Sequence, residues 1–232
     1  MINNMQVMAI IPARGGSKRL PNKNILPIHG APLINWTIEA AKKSKYIDKV
    51  VVSTDNLEIA NIAKQSSALV PELRPVELST DKATTEDVVF YTIEKYSEGA
   101  DIIVILQPTS PLRDYKHIDN ALELLIERSG AAVVSVTECE HSPLWANTLP
   151  DNGNMAGFLK VSNNINSQDL DTYYRLNGAI YIYKLKELVD SGSMAYNDAT
   201  YAYEMSQIDS VDIDNKLDFE WAEFLLARKS RN

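Results

Sequence analysis

The feature that most constrains the fold of this chain is a rhythm. Short apolar runs alternate with segments of helical periodicity. Val7 to Ala13 precedes a helix near Leu33 to Lys43, Val50 to Thr54 precedes one near Leu57 to Gln65, and Asp101 to Gln107 precedes one near His117 to Glu127, with a further run at Ala131 to Thr137. A continuously apolar strand has no polar side to offer water, so both its faces need cover, and the intervening helices supply it. Strand–helix–strand units of this kind predict an α/β fold, a mostly parallel sheet flanked by helices. Ile118, Ala121, Leu122, Leu125 and Ile126 follow the i, i+3, i+4, i+7, i+8 stripe and are predicted core. The strand pattern returns at Asn177 to Tyr183, and a last helix carries Leu217, Trp221, Phe224 and Leu225 on one face.

The rhythm breaks from about Glu140 to Thr172, a polar, Asn-rich stretch with Pro143, Pro150, Gly153 and Gly157. It reads as an inserted arm, approximately residues 140–175, within one domain spanning 1–232. Long irregular insertions are commonly functional or oligomer contacts, and a plain surface excursion fits the composition equally well. At 232 residues and 45% hydrophobic, the chain can bury the core that one large α/β domain requires.

A formal charge of −8 argues against a general nucleic-acid surface, which needs Lys and Arg in excess over much of one face. The chain does not open on a cationic segment with a long apolar stretch, and runs such as Ile102 to Leu106 are far too short to span a bilayer. Neither nucleic acid nor membrane is expected as a partner. The lone Cys139 has no disulfide partner and no companion at metal-ligand spacing, which suits packing in a reducing compartment and predicts a cytoplasmic protein. His29, His117 and His141 lack nucleophile or zinc spacing and read as surface or loop residues.

Against this charge, "IIPARGGSKRLPNKN" (Ile10 to Asn24) crowds Arg14, Lys18, Arg19 and Lys23 beside a Gly pair, directly after the first apolar run. In a parallel α/β sheet, ligands bind beyond the carboxyl ends of the strands, and this is the first such loop. Gly15 and Gly16 allow close approach of the backbone, Ser17 offers a hydroxyl, and the flanking cations can meet phosphate oxygens. Chemically this is a polyphosphate cradle, although neither G-x-x-x-x-G-K-[ST] nor G-x-G-x-x-G is present.

A second group is "DSVDID", Asp209 to Asp214. If a strand continues through it, alternation puts Asp212 and Asp214 on one face. Such a pair suits Mg²⁺, which takes one or two carboxylates together with phosphate oxygens and water. Asp214 also suits the N-cap of the helix beginning near Lys216, so the pattern admits both roles. Between these groups lies "LQPTSPLR", where Gln107 at a strand end offers a donor and an acceptor, in a loop that its prolines restrict. Arg74 in "LRP" and Thr85 in "TDKATTED" sit in polar segments that suit solvation or helix capping as well as a ligand.

The segments "IPARGGSKRLPNKN", "VVSTD", "LRPVELSTD", "LQPTSPLR", "RLNGAIYI" and "DSVDID" occur in the order seen in the cytidylyltransferases that activate acidic nine-carbon sugars, and the chain resembles the CMP-sialic acid (acylneuraminate) synthetases over nearly its whole length. The resemblance implies a Rossmann-like nucleotidyltransferase fold, a homodimer joined through an extended arm, and the use of CTP and Mg²⁺ to make a CMP sugar and pyrophosphate. By the same resemblance, Arg14, Ser17, Lys18 and Lys23 match positions around the triphosphate, and Asn24, Arg74 and Thr85 match positions near cytidine. Gln107, Arg175 and Asn177 match the sugar-acid site, and Asp212 and Asp214 the metal pair.

The expected reaction is attack of the anomeric hydroxyl on the α-phosphorus of CTP. Arg14, Lys23, Gln107 and Asp212 carry catalysis, with Asp212 or a metal-acidified hydroxyl accounting for the proton. N-acetylneuraminate is the first expected acceptor. Trp145 stands where some bacterial sialate enzymes carry Lys, a departure that admits legionaminate or another keto-sugar acid. A non-catalytic nucleotide-binding module is the alternative outside the enzyme class.

Overall fold

A computed structural model of the protein describes residues 1–160, 166 and 169–229. Chain order runs β1 (Val7–Pro12), a short hairpin of β2 (Pro27–Ile28) and β3 (Ala31–Pro32), α1 (Leu33–Lys43), β4 (Lys49–Ser53), α2 (Leu57–Gln65), α3 (Thr85–Tyr96) and β5 (Ile102–Leu106). It continues with α4 (Tyr115–Glu127), β6 (Ala132–Glu138), β7 (Tyr174–Lys184), α5 (Leu185–Ser191), β8 (Thr200–Glu204) and α6 (Lys216–Lys229).

Six strands form one sheet in the order β4-β1-β5-β7-β6-β8. β1 pairs in parallel with β4 and β5, and β6 with β8, whereas β7 is antiparallel to both β5 and β6. β7 therefore runs against the other five, and the sheet is mostly parallel, as the rhythm predicts. The apolar runs are buried as expected: every residue of β5 is buried. On one face Ile34, Ile38, Ile59, Ala63, Leu122 and Leu125 bring α1, α2 and α4 onto Ala9, Ile11 and Val104. On the other, Val89 and Ile93 of α3 and Leu188 of α5 pack on Met8, Ile10, Ile103 and Ile105. Four residues of the predicted α4 stripe are fully buried, while Ile126 is half-buried at its edge.

The direction of β7 matters for the site. Its amino end lies beside the carboxyl ends of β5 and β6, with Arg175 opposite Thr137 and Ile180 opposite Leu106. Register against β6 shifts between Val134 and Val136, and Gly178 takes φ +72° in the resulting bulge, a left-handed backbone that disfavours a side chain. Ser135 Oγ secures the bulge by accepting from Ile180 N at 2.8 Å and donating to Asn177 Oδ1 at 2.6 Å.

Several elements differ from the sequence expectation. α3 hides inside the polar "TDKATTED" segment because its first turn is a capping box of Thr84 and Asp87. The apolar stripe of α6 is split. Ala222, Leu225 and Leu226 are buried with Ile28, Leu33, Leu112 and Ile213, whereas Leu217, Trp221 and Phe224 face outward, with the two rings stacked 5.4 Å apart. Residues 209–214 are not a strand: a 3-10 turn at Ile208–Ser210 is followed by an irregular segment. His117 lies in the first turn of α4 as part of the capping box with Asp114, so it is a helix-start residue and not a loop residue. Within the predicted arm, β7 takes the last two residues and a 3-10 turn spans Pro143–Trp145. Residues 161–165, 167 and 168 of that arm lie outside the described residues.

Candidate active site

The carboxyl ends of β1 and β5, with the loop before α6, enclose two adjoining clefts that share Pro12, Arg14 and Gln107. One, about 300 Å³, is lined by Arg74, Asp81, Thr84 and Thr85 at the start of α3. The other, about 330 Å³, is lined by Ser17, Lys18, Arg19, Lys23, Asn24 and Asp214. A third, about 440 Å³, holds Arg175, Glu140, Asp212, Asp218 and Trp221. A fourth cavity, about 490 Å³, lies between α1, α6 and residues 111–115, and none of the predicted site residues lines it.

The opening loop is tied down from beneath. Ala13 N donates to Ser53 O at 2.9 Å, and Gly15 N donates to Asp55 Oδ1 at 2.8 Å. The two glycines differ in what surrounds them. A Cβ on Gly15 would lie 2.9 Å from Asn56, the N-cap of α2, while a Cβ on Gly16 would meet nothing within 4 Å. Asn24 is buried, donating from Nδ2 to Arg14 O at 3.0 Å, and its Oδ1 has no hydrogen-bond partner. Arg74 is also buried, with Nε 3.3 Å from Ser79 Oγ and Nη2 3.8 Å from Asp55. Burial pushes its guanidinium below the usual range, Asp55 opposes that, and the charge of Arg14 adds to it.

Each cation of the loop meets a carboxylate. Asp81 pairs with Arg14 at 3.1 Å and Lys18 at 2.6 Å, and Asp214 pairs with Arg19 at 2.9 Å and Lys23 at 3.6 Å. Lys23 Nζ also donates to Ile213 O at 2.5 Å. Ile213 is fully buried and donates from its own N to Thr109 O at 2.9 Å. That buried anchor separates the two carboxylates, with Asp214 lining the cleft of the opening loop and Asp212 the cleft that holds Arg175. Asp214 is not the helix cap. Asn215 Oδ1 accepts from Leu217 N and Asp218 N, and Asp218 accepts from Asn215 N.

Asp212 is reachable by solvent, yet the protein around it holds its carboxyl above the ordinary range, chiefly by desolvation. Like charge from Asp214 and Asp218 adds to the shift, while Thr109 and Lys23 oppose it. A bound divalent cation would relieve both the desolvation and the repulsion, so this donor set fits Mg²⁺. Among the described residues, no group of three or more His, Cys, Asp or Glu side chains could hold a metal unaided. The fit is thus of the kind in which phosphate oxygens complete the ligand shell.

Arg175 binds Glu140 through two hydrogen bonds, at 2.6 and 3.2 Å, which hold its guanidinium above the usual range. Asn177 does not present its side chain to a cleft. It is 2% exposed, and Ser135, Ser210, Met205 and Ala179 N take up its polar atoms, because it braces the β7 bulge.

Sequence reasoning passed over Asp55, Asp81, Gly178 and Arg113. Arg113 is fully buried and its guanidinium is pushed down to about 10 by desolvation. It donates to Thr37 Oγ1 at 2.6 Å and to Gln107 O at 3.4 Å, fixing the backbone from which Gln107 enters the site. A Cβ on Gly178 would lie about 4 Å from both Asp212 Oδ2 and Gln107 Oε1.

Comparison with known proteins gives a concordant result. Residues 8–156 match a family model described as cytidylyltransferase. The chain is 37% identical over 232 aligned residues to a CMP-N,N'-diacetyllegionaminic acid synthase of Legionella pneumophila, covering 96% of this chain and 97% of that protein. It is 38% identical over 217 residues to an N-acylneuraminate cytidylyltransferase of Streptococcus agalactiae, spanning 93% of this chain but about half, 52%, of the longer relative. Among solved structures, a CMP:2-keto-3-deoxy-manno-octonic acid synthetase complexed with CTP superposes with a TM-score of 0.73 at 17% identity, covering 97% of this chain and 99% of that one, a likeness of fold.

Proposed function

The chain belongs to the cytidylyltransferase family, and we propose that it transfers CMP from CTP to the anomeric hydroxyl of an acidic nine-carbon sugar, releasing pyrophosphate. The observation that carries this reading is the convergence of Arg14, Lys18, Arg19 and Lys23 on a cleft at the carboxyl ends of β1 and β5 that Asp214 also lines, in a chain of net charge −8.

In this reading Arg14, Ser17, Lys18 and Lys23 hold the triphosphate, while Asn24, Arg74 and Thr85 hold the cytidine end. The free Oδ1 of Asn24 is a buried acceptor suited to a donor on the ligand. Gln107 lines both clefts, and the buried Arg113 below it restricts its backbone, so it orients the acceptor hydroxyl toward the α-phosphorus. Arg175 offers charge to the sugar carboxylate. Asp212, or acidification of the anomeric hydroxyl by the metal, accounts for the proton that leaves it. Asp212 and Asp214 are the residues that would hold Mg²⁺, which would supply neutralisation of phosphate charge. Cations fixed in place before the reaction contribute most, since they need no reorganisation as charge shifts onto the leaving group.

N-acetylneuraminate is the first acceptor proposed. Legionaminate is the second, favoured by end-to-end similarity to the legionaminate-type enzyme and by Trp145. Residues 140–175 are the proposed arm of a homodimer. The test is pyrophosphate release from CTP, with and without Mg²⁺, with each acid as separate acceptor. Metal-dependent release with either acid is the expected result, and the faster one identifies the acceptor. CTP binding without release across nine- and eight-carbon keto-sugar acids would favour a silent binding module instead.

A further inference from the structure

One carboxylate near the cradle has no place in the chemistry above. Asp81 lies in the loop between the turn at Val76–Ser79 and the start of α3, and its two oxygens reach two different cations of the opening loop, Oδ1 to Arg14 Nη1 at 3.1 Å and Oδ2 to Lys18 Nζ at 2.6 Å. That is the geometry a phosphate group would adopt toward the same pair. We propose that Asp81 is an internal competitor for the triphosphate subsite: it occupies Arg14 and Lys18 in the free protein, gives way to the phosphates of CTP, and returns to those cations as pyrophosphate leaves.

The inference rests on the reading of Arg14 and Lys18 as phosphate ligands. Three features of the structure favour exchange over a fixed structural pair. First, the pairs are solvated: the side chains of Asp81 and Lys18 are 52% and 78% exposed, so neither contact is costly to break. Second, the capping box of Thr84 and Asp87 holds the start of α3 independently, so the Asp81 side chain can move away without unwinding the helix. Third, the carboxylates that fasten the loop itself are others, with Asp55 on the Gly15 amide and Asp214 on Arg19 and Lys23. A single carboxylate charge loses to a chelating triphosphate or pyrophosphate, and it competes better against the weaker hold of a departing product. A nucleoside monophosphate that reaches only the Arg74 and Thr85 end has no need to displace it. Asp81 is thus a specificity-determining residue that weights binding by the number of phosphates.

The test is isothermal titration of the wild type, Asp81→Asn, Lys18→Ala and the double variant with Mg²⁺ and CTP, pyrophosphate or CMP, without acceptor. Asp81→Asn is expected to bind CTP and pyrophosphate about three- to tenfold tighter, with CMP affinity changed less than about twofold. The gain should shrink in the Lys18→Ala background, where only the pair with Arg14 remains for Asp81 to compete for. In turnover, the same variant should show a lower KM for CTP and stronger inhibition by added pyrophosphate. Equal or weaker pyrophosphate binding by Asp81→Asn would overturn the proposal, because it would make Asp81 a residue that positions Arg14 and Lys18 productively. Pyrophosphate affinity rising as expected with no binding of CTP would leave the role of Asp81 standing and refute the nucleotide assignment.

Discussion

The two adjacent glycines of the opening loop should behave as different residues. An Ala side chain at Gly15 would place its Cβ 2.9 Å from both Cβ and Nδ2 of Asn56, inside any contact that real Cβ atoms make. Asn56 has little room to retreat, since its Oδ1 caps α2 by accepting from Glu58 N at 2.8 Å and Ile59 N at 3.0 Å. Overpacking of this kind costs about 1–3 kcal/mol, and displacing the cap adds about 1 kcal/mol. At about 2–4 °C per kcal/mol for a chain of this size, Gly15→Ala should melt about 4–16 °C below the wild type. It should also raise the KM for CTP, because the loop carrying Arg14 and Lys18 would shift off Asp55. Gly16→Ala meets nothing within 4 Å and should melt with the wild type. Any loss of CTP use in that variant would then report a ligand approaching the backbone. Thermal unfolding by circular dichroism, run beside CTP kinetics, separates the two. Equal melting of both variants, or a wild-type melting point for Gly15→Ala, would refute the packing argument.

Lys23→Ala removes a charge-assisted hydrogen bond worth about 1.5–3 kcal/mol and should lower kcat/KM for CTP by about ten- to a hundredfold, with sugar binding in the absence of nucleotide little changed; unaltered CTP kinetics would remove Lys23 from the cradle. Asp212→Asn should lose turnover and its Mg²⁺ response without losing stability. The carboxyl of Asp212 is raised in the folded state, so the fold binds its proton more tightly than the unfolded chain does, and stability declines as pH rises through that range. The amide removes the penalty, and a melting point at neutral pH equal to or above wild type is expected; a clear fall would contradict the desolvation argument. Asn177→Ala should act on the fold. With Ala179 N losing its acceptor and Ser135 and Ser210 each keeping only their other partners, a loss of about 1–3 kcal/mol in urea unfolding is expected with the acceptor KM unchanged, and the reverse pattern would return Asn177 to the sugar site.

Five of the six sheet strands and most of the helices were legible in the sequence because burial writes itself as periodicity, whereas the partly exposed β8 and the short α5 were not. Where burial is two-sided, as in "DIIVIL", the pattern leaves few alternatives. α3 was illegible because capping residues dominate its first turn, so its polar start looks like a loop. The outward stripe of Leu217, Trp221 and Phe224 shows the opposite limit: periodicity identifies an apolar face without saying what covers it. The cations of the loop and the aspartate pair were visible from residue type and from position after a strand. Asp55, Asp81 and Arg113 were not, because each acts through a contact between segments distant in sequence, such as the 67 residues separating Arg14 from Asp81. Asn177 was misread for a related reason. A polar residue at the end of a strand looks like a ligand contact until its buried partners are known.

The charge of the chain follows from the same contacts. Four cations within ten residues would repel one another and splay the loop, and exposed pairs across such distances are only partly screened by salt. The folded protein brings Asp81 from one wall of the cleft and Asp214 from the other, each meeting two of the four, while Asp55 holds the backbone between them. The loop therefore keeps its shape before any ligand arrives, and binding a triphosphate becomes an exchange of carboxylates for phosphates with no net creation of buried charge. Such an exchange retains selectivity, since only a ligand carrying more charge than the aspartates it displaces gains by the substitution. It also treats the two carboxylates differently. Asp81 is the one released toward solvent, whereas Asp214 stays with Arg19 and Lys23 and keeps the loop fastened. An acidic chain with a cationic loop is on this argument one electrostatic arrangement, in which the anions keep the cradle formed until a stronger anion takes their place.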